Sequence, residues 1–292
     1  MQIGVVFPQT EIGDQASSIV RYARHVEELG FAHILAYDHV LGADPDVYPG
    51  WNGPYDINTN FHEVFVLFGF LAGITSAVEL VTGILIGPQR QTALVAKQAA
   101  EVDVLSQGRL RLGVGIGWNA VEYDALGQDF STRGRRVEEQ VELLRRLWTQ
   151  RSVTFDGDFD HVSGAGLMPM PVQRPIPVWM GGSSAPAYRR MGRLADGWFP
   201  MVPPGPRLAE ALDLIAEGAA EAGRDPGLIG MEGRVGWGDG DRARLADHAA
   251  RWRDAGATHL GIDTMRAGLS TLDEHLEALT AAAEALSVSG PA

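Results

Sequence analysis

Cysteine is absent from the 292 residues. That excludes disulfides, thiolate nucleophiles and thiolate metal sites. Lysine is almost absent too: Lys97 is the only one, and the formal net charge is −13. A chain this acidic is a poor partner for nucleic acid or an anionic membrane surface. There is no apolar run of 18 residues, so no membrane-spanning helix is expected. The opening MQIGVVFPQT has no basic segment followed by an apolar one. It reads as a strand, so no secretory signal is expected and a cytoplasmic location is the default.

Familiar catalytic signatures are missing as well. His62-Glu63 opens HEVFV, which has no second histidine, and no carboxylates cluster with histidines, so no metal site is expected. GGSSAP has no glycine after its serines and is not a nucleophile elbow. RLRLGVGIGWNAVEYDALG, residues 109–127, carries Gly113, Gly115 and Gly117 in a G-x-G-x-G pattern. A dinucleotide-binding fingerprint needs G-x-G-x-x-G opening a helix, and WNAVEYDALGQDFSTRG does not begin a clean helix of that kind. Two readings are left: glycines that relieve crowding at a strand end, or glycines whose missing side chains admit a flat ligand.

What is present is a regular alternation. Strand-like runs IGVVFP, FAHILAYDH, VELVTGILIG, RLRLGVGIG, IPVWMGG, GWFPMV, LIGMEGRV and ATHLGIDT alternate with helical patterns. Ile19, Tyr22, Ala23, Val26 and Leu29 recur at helical spacing, as do Val137, Val141, Leu144 and Trp148. Gly30, Gly108 and Gly256 sit where helices should stop. Eight β/α units in one chain of this length favour a (β/α)8 barrel over an open doubly wound sheet. Two connections, residues 41–65 and 150–175, exceed ordinary βα loops. The first lies at the face where barrel active sites form, and its aromatics suit a substrate lid over a partly apolar molecule. The run Arg133, Arg135, Arg136 reads either as the solvated start of a helix or as a contact for an anionic ligand tail.

Function in a barrel collects at the C-terminal strand ends. Those ends here are Phe7-Pro8-Gln9, Tyr37-Asp38-His39, Gly83-Ile84-Leu85, Gly115-Ile116-Gly117-Trp118, Gly181-Gly182-Ser183-Ser184 and Phe199-Pro200. They offer one histidine, one acid, bare backbone and aromatics, with no nucleophile–base pair. Chemistry at such a site is borrowed from an organic cofactor. Gly181 to Ser184 before a helix suits a phosphate, or alternatively an ordinary serine cap.

The segments YDHVL (37–41), ELVTGILIGPQRQTALVAKQAAEVDVLSQGRLRLGVGIGWNAVEYDALG (79–127) and VWMGGSSAPAYRRMGRLADGWFP (178–200) resemble the luciferase-like monooxygenase superfamily. More narrowly, they resemble its oxidoreductases that use the deazaflavin coenzyme F420. The resemblance implies one bacterial-luciferase-type barrel over residues 1–292, with insertions near 41–65 and 150–175. It implies a tricyclic ring across the barrel mouth, close to Gly115 and Gly117, with Trp118 as a wall. It further implies a non-proline cis peptide at Gly83-Ile84 beneath the ring, phosphate at Gly181, Gly182, Ser183 and Ser184, and Asp38-His39 near the reactive carbon. In the family's sugar-phosphate dehydrogenases the residue matching His39 is a base. Those enzymes carry a glutamate where this chain has Trp118, which argues against that substrate class. The implied activity is hydride transfer between F420 and a small organic substrate by a homodimer. The alternatives are an FMN-dependent monooxygenase and a non-catalytic flavin-binding protein.

Overall fold

The computed structural model describes residues 1–12 and 15–288. In chain order its first elements are β1 (Gln2–Val6), α1 (Ala16–Glu28), β2 (His33–Ala36), α2 (Val64–Ala72), β3 (Glu79–Thr82), β4 (Leu85–Ile86), α3 (Thr92–Leu105) and β5 (Leu110–Gly115). The middle holds α4 (Ala120–Ala125), α5 (Arg133–Thr149), β6 (Val153–Asp156), β7 (His161–Ala165), β8 (Val178–Gly181) and α6 (Ala185–Leu194). The last are β9 (Gly197–Phe199), α7 (Pro206–Glu221), β10 (Gly230–Gly236), α8 (Arg242–Asp254), β11 (His259–Asp263) and α9 (Leu272–Leu286).

The strands run parallel in the order β3-β2-β1-β11-β10-β9-β8-β5-β4, and a β3–β5 pairing closes the sheet on itself. This is the expected eight-unit barrel, with β3 and β4 together forming one stave. The break between them is at Gly83-Ile84, whose peptide bond is cis, as the resemblance implied.

Three local features differ from the sequence reading. Residues 64–72 form a helix although VFVLFGFLA shows no amphipathic stripe. Most of its residues are buried, so apolar side chains occur nearly all round and the 3.6 period is erased. Asn119 caps the six-residue α4 by accepting from the Val121 and Glu122 amides, so WNAVEYDALG does start a helix, only a short one. The connection at 150–175 is not a plain loop, because β6 and β7 pair in it as an antiparallel hairpin.

Alternation along the strands stacks side chains in layers inside the barrel. The base layer holds His33, Glu79, Arg111, Glu232 and His259, each within the first three residues of its strand. Above it, Val6, Leu35, Val81, Trp179 and Phe199 pack together, and Tyr37, Ile84 and Met265 lie against them. Trp179 fits only because its neighbours lack side chains: a Cβ on Gly197 would come within 2.2 Å of its ring, and one on Gly230 within 2.6 Å. Each large aliphatic group buried there stabilises by about 1.5–3 kcal/mol.

The base layer is an ionic network. Glu232 joins His33 Nε2 at 2.9 Å and Arg111 Nη1 at 2.7 Å, and Arg111 Nε reaches Glu79 at 2.9 Å. The Arg111 guanidinium also stacks 4.3 Å from the Trp179 ring. Burial alone would raise the Glu232 pKa, but His33 and Arg111 outweigh it and hold the carboxyl well below its usual range. His259 is pushed down, first by burial and then by the charges of Arg111 and His33. This end plugs the barrel.

Candidate active site

Three strand-end loops converge on one carboxylate at the other end. Glu122, in the first turn of α4, is fully buried. It accepts from His39 Nδ1 at 3.2 Å, Gln89 Nε2 at 3.0 Å and the Leu41 amide at 3.2 Å, and also from the Val40 amide. These bonds outweigh the cost of burial and keep its pKa below the ordinary value. A carboxylate only accepts, so His39 Nδ1 carries the hydrogen and its Nε2 keeps the basic lone pair when the ring is neutral. The chain therefore supplies an acidic partner for His39 although position 118 is tryptophan.

Asp38 requires a revision. Its side chain is inaccessible, bound by Arg90 Nη2 at 2.7 Å and by the Ile86 amide at 3.1 Å. Arg90 also reaches Glu63, the N-cap of α2, at 3.1 Å. Burial, opposed by Arg90, pushes the Asp38 pKa up. The residue latches β2 to β4 and α2, and this geometry supports a positioning role for Asp38 next to His39.

The glycines answer to their protein neighbours first. Gly113 and Gly115 are two apart on β5, so both face the barrel interior, while Gly117 lies just past its end. A Cβ on Gly115 would lie 2.7 Å from Ile84, and one on Gly117, where φ is +64°, would lie 2.8 Å from Ile86. Gly83 is similarly tight, with Leu35 at 2.2 Å. Gly181 differs: its nearest contact would be Ile84 at 3.1 Å, so a small side chain nearly fits. Ile84 thus lies among Gly83, Gly115 and Gly181, an apolar floor with little side-chain relief around it.

Beside this floor, the 41–65 insertion folds over His39. The His39 ring lies 4.8 Å from Phe61, 5.2 Å from Tyr55 and 5.8 Å from Trp118, and Trp118 packs 5.6 Å from Trp51. The lid and wall expected from sequence meet each other here. At the end of β8, Ser184 Oγ caps α6 by accepting from the Ala187 amide at 3.4 Å, while Ser183 and Gly182 bear no such duty. The Arg133 guanidinium stacks 3.7 Å from Phe130, and Arg136 donates to the Arg90 carbonyl at 3.3 Å, so neither is an unengaged ligand contact.

The sequence profile of luciferase-like monooxygenases matches residues 1–288. The chain belongs to the luciferase-like monooxygenase family. Among curated family relatives, the uncharacterized protein Rv0953c of Mycobacterium tuberculosis (strain ATCC 25618 / H37Rv) is 31% identical over 199 residues, 67% of each chain. The FMNH(2)-dependent dimethylsulfone monooxygenase of Pseudomonas fluorescens (strain Pf0-1) is 37% identical over 141 residues, 47% of this chain and 38% of that protein. Among solved structures, an F420-dependent secondary alcohol dehydrogenase in complex with an F420-acetone adduct superposes with a TM-score of 0.78 at 19% identity, covering 98% of each chain. That likeness is one of fold. The family is one of oxidoreductases and monooxygenases, and the strand ends just described are where this member's chemistry must be sought.

Sequence reasoning missed Glu122 and Gln89. A signal for Glu122 was present: Asn119-x-x-Glu122 is a helix N-terminus pattern, with the acid three residues after the cap. Gln89 carried none. It follows β4 in a 3-10 turn and reaches Glu122 only because the barrel closes.

Proposed function

We propose that this protein is an F420-dependent oxidoreductase that moves hydride between the deazaflavin and a small organic substrate. The observation that carries the reading is the pairing of an apolar, glycine-flanked floor at Ile84 with the His39–Glu122 pair, on one barrel mouth. Ile84, Gly115 and Gly181 would hold the flat ring, with Gly83 and Gly117 permitting the tight backbone beneath it. Trp118 would wall the cavity. Gly182, Ser183 and the first amides of α6 would hold the phosphate, Ser184 contributing as cap. When bound, a deazaflavin supplies hydride chemistry at a ring carbon and reacts poorly with oxygen. His39 Nε2 would accept or return the substrate proton while Glu122 fixes its tautomer. The dense match of residues 79–127 to F420-using members favours this coenzyme.

The resemblance to the dimethylsulfone monooxygenase favours FMN instead, and both rings fit the same floor. Fluorescence titration with F420, FMN and FAD separates them. Micromolar or tighter F420 binding, about −8 kcal/mol or better, with weaker FMN binding is expected. Copurification of tightly held FMN with no F420 affinity would overturn the coenzyme assignment.

We also read the protein as a homodimer. Val66 and Phe70, one turn apart on α2, are 72% and 41% exposed, an apolar pair suited to a second copy. Val66→Glu should leave a monomer by light scattering; an unchanged mass would move the interface elsewhere.

A further inference from the structure

The half of the mouth facing Ile84 is built differently. In the closed strand order, β10 lies four steps from β3 in either direction, so it stands opposite the Gly83-Ile84 break. Alternation from Glu232 places Arg234 on the interior side of β10, one layer above the base. Its guanidinium lies 5.1 Å from the Tyr37 ring, which confirms that direction. Arg234 is nonetheless exposed. An inward residue reaches solvent only where the barrel is open above it. Arg266, just after β11, is exposed at the same rim.

Neither guanidinium forms an ion pair within 4.0 Å among the described residues, whereas Arg90 and Arg111 inside the same barrel are both paired. The nearby carboxylates make their hydrogen bonds elsewhere, although the charge of Arg234 still acts on Asp263 at longer range. Asp263 accepts from the Met265 amide at 2.9 Å and from the Tyr37 hydroxyl at 3.4 Å. Glu11 accepts from the backbone amide of Arg266 at 2.7 Å. Tyr55 ties this side to the reacting side. Burial raises its hydroxyl pKa and the charges of Arg266 and Arg234 oppose the rise, while its ring lies against His39. Two cations without an ion-pair partner among the described residues, separated from His39 by Tyr55 in a chain of net charge −13, are a local reversal of sign. Guanidinium groups grip planar or tetrahedral oxyanions through paired N–H donors.

We propose that Arg234 and Arg266 form an anion-binding subsite for the substrate, which carries a carboxylate, sulfonate or phosphate group. The inference rests on the reading that substrate and coenzyme share this mouth. It places the anion across from the Ile84 floor, away from the phosphate-holding segment at the end of β8.

Calorimetric titration of the full chain with benzoate, benzenesulfonate and phenyl phosphate, against neutral benzamide, tests it. At least one anion should bind tenfold or more tightly than benzamide, about 1.4 kcal/mol. That preference should fall below threefold in the double variant R234Q/R266Q and partly return in R234K. Both side chains are exposed and form no ion pair among the described residues, and only the Arg234 contact with Tyr37 is lost, so the variants should melt close to the wild type. No anion preference in the wild type, or a preference that survives in R234Q/R266Q, would overturn the subsite. A second arm compares F420 with its phosphate-free deazaflavin core, binding to R234Q being expected within twofold of wild type for both. Loss of F420 affinity alone would assign the anion to the coenzyme and overturn the substrate assignment. Failure of the wild type to bind F420, with the anion preference intact, would sink the coenzyme reading and leave this subsite standing.

Discussion

At the base of the barrel, Arg111 and His33 share Glu232, and Arg111 also reaches Glu79, so these charges are paired. At the mouth, among the described residues, Arg234 and Arg266 form no ion pair, and His39 Nδ1 alone of its ring nitrogens is tied to Glu122. The two ends are built from the same strands, with inward residues at even spacings: Glu232 below and Arg234 above on β10, and His33 then Leu35 on β2 with Tyr37 just past its end. The difference lies in what fills the space between opposite staves. Trp179 and Phe199 seal the lower half. Above them β5 and β8 contribute glycine to the interior, and Ile84 packs against that bare backbone. A paired charge network stabilises, whereas donors without an ion-pair partner at a barrel mouth are suited to a ligand.

The comparison breaks most sharply at His39. His39→Asn should reduce turnover by about 10² to 10⁴ while coenzyme affinity changes less than threefold, under about 0.7 kcal/mol. Glu122→Gln should cost less, and the double variant no more than His39→Asn alone, because Glu122 acts through the histidine. Single-turnover hydride transfer and coenzyme titration on the same samples check both. Additive losses would make Glu122 an anchor of the 41–65 insertion through Val40 and Leu41, and nothing else.

At the base the expected loss is stability. Glu232→Ala leaves Arg111 and His33 buried without their anion and should cost about 3–5 kcal/mol in urea unfolding, with the coenzyme affinity of the folded fraction unchanged. Normal stability would mean that water relieves the network.

A smaller effect appears with pH. His259 titrates at about 3 in the folded chain against an ordinary 6.5. Between those values the unfolded chain binds more protons, so this group's contribution is lost as pH falls from 6.5 toward 3. Glu232, at about 2 against 4.5, adds a loss below pH 4.5 of the same sign. His259→Gln should therefore flatten the melting temperature between pH 6.5 and 4.5 relative to the wild type. Parallel curves would remove His259 from the account.

Much of the fold was legible because barrel periodicities are local. Ile19, Tyr22, Ala23 and Val26 sit 3–4 residues apart and are buried together. The helix at 64–72 escaped because apolar residues nearly all round leave no period to read. His39 and the strand-end glycines were legible from position alone, since any barrel strand delivers its C-terminal end to the mouth. Glu122 and Arg234 were not. Their partners lie across the barrel: His39 is 83 residues from Glu122 in sequence, and Tyr37 meets Arg234 only after β1 and β11 have paired between their strands. The glycines were legible as bare backbone, but the neighbours that demand it, Ile84 and Ile86, emerged only with the strand register.

That last point selects the decisive measurement. Valine at Gly115 or Gly117 would fail against Ile84, Ile86 or a left-handed backbone before any ligand arrived. Gly181→Ala adds one methyl to the floor, with only Ile84 required to yield by a few tenths of an ångström. Coenzyme affinity of Gly181→Ala, read by fluorescence titration beside the wild type, tests whether the ring occupies the glycine-flanked half of the mouth. A drop of at least tenfold, about 1.4 kcal/mol, with an unchanged melting temperature is the predicted result. Unchanged affinity for F420 and FMN alike would place the ring elsewhere and contradict the account.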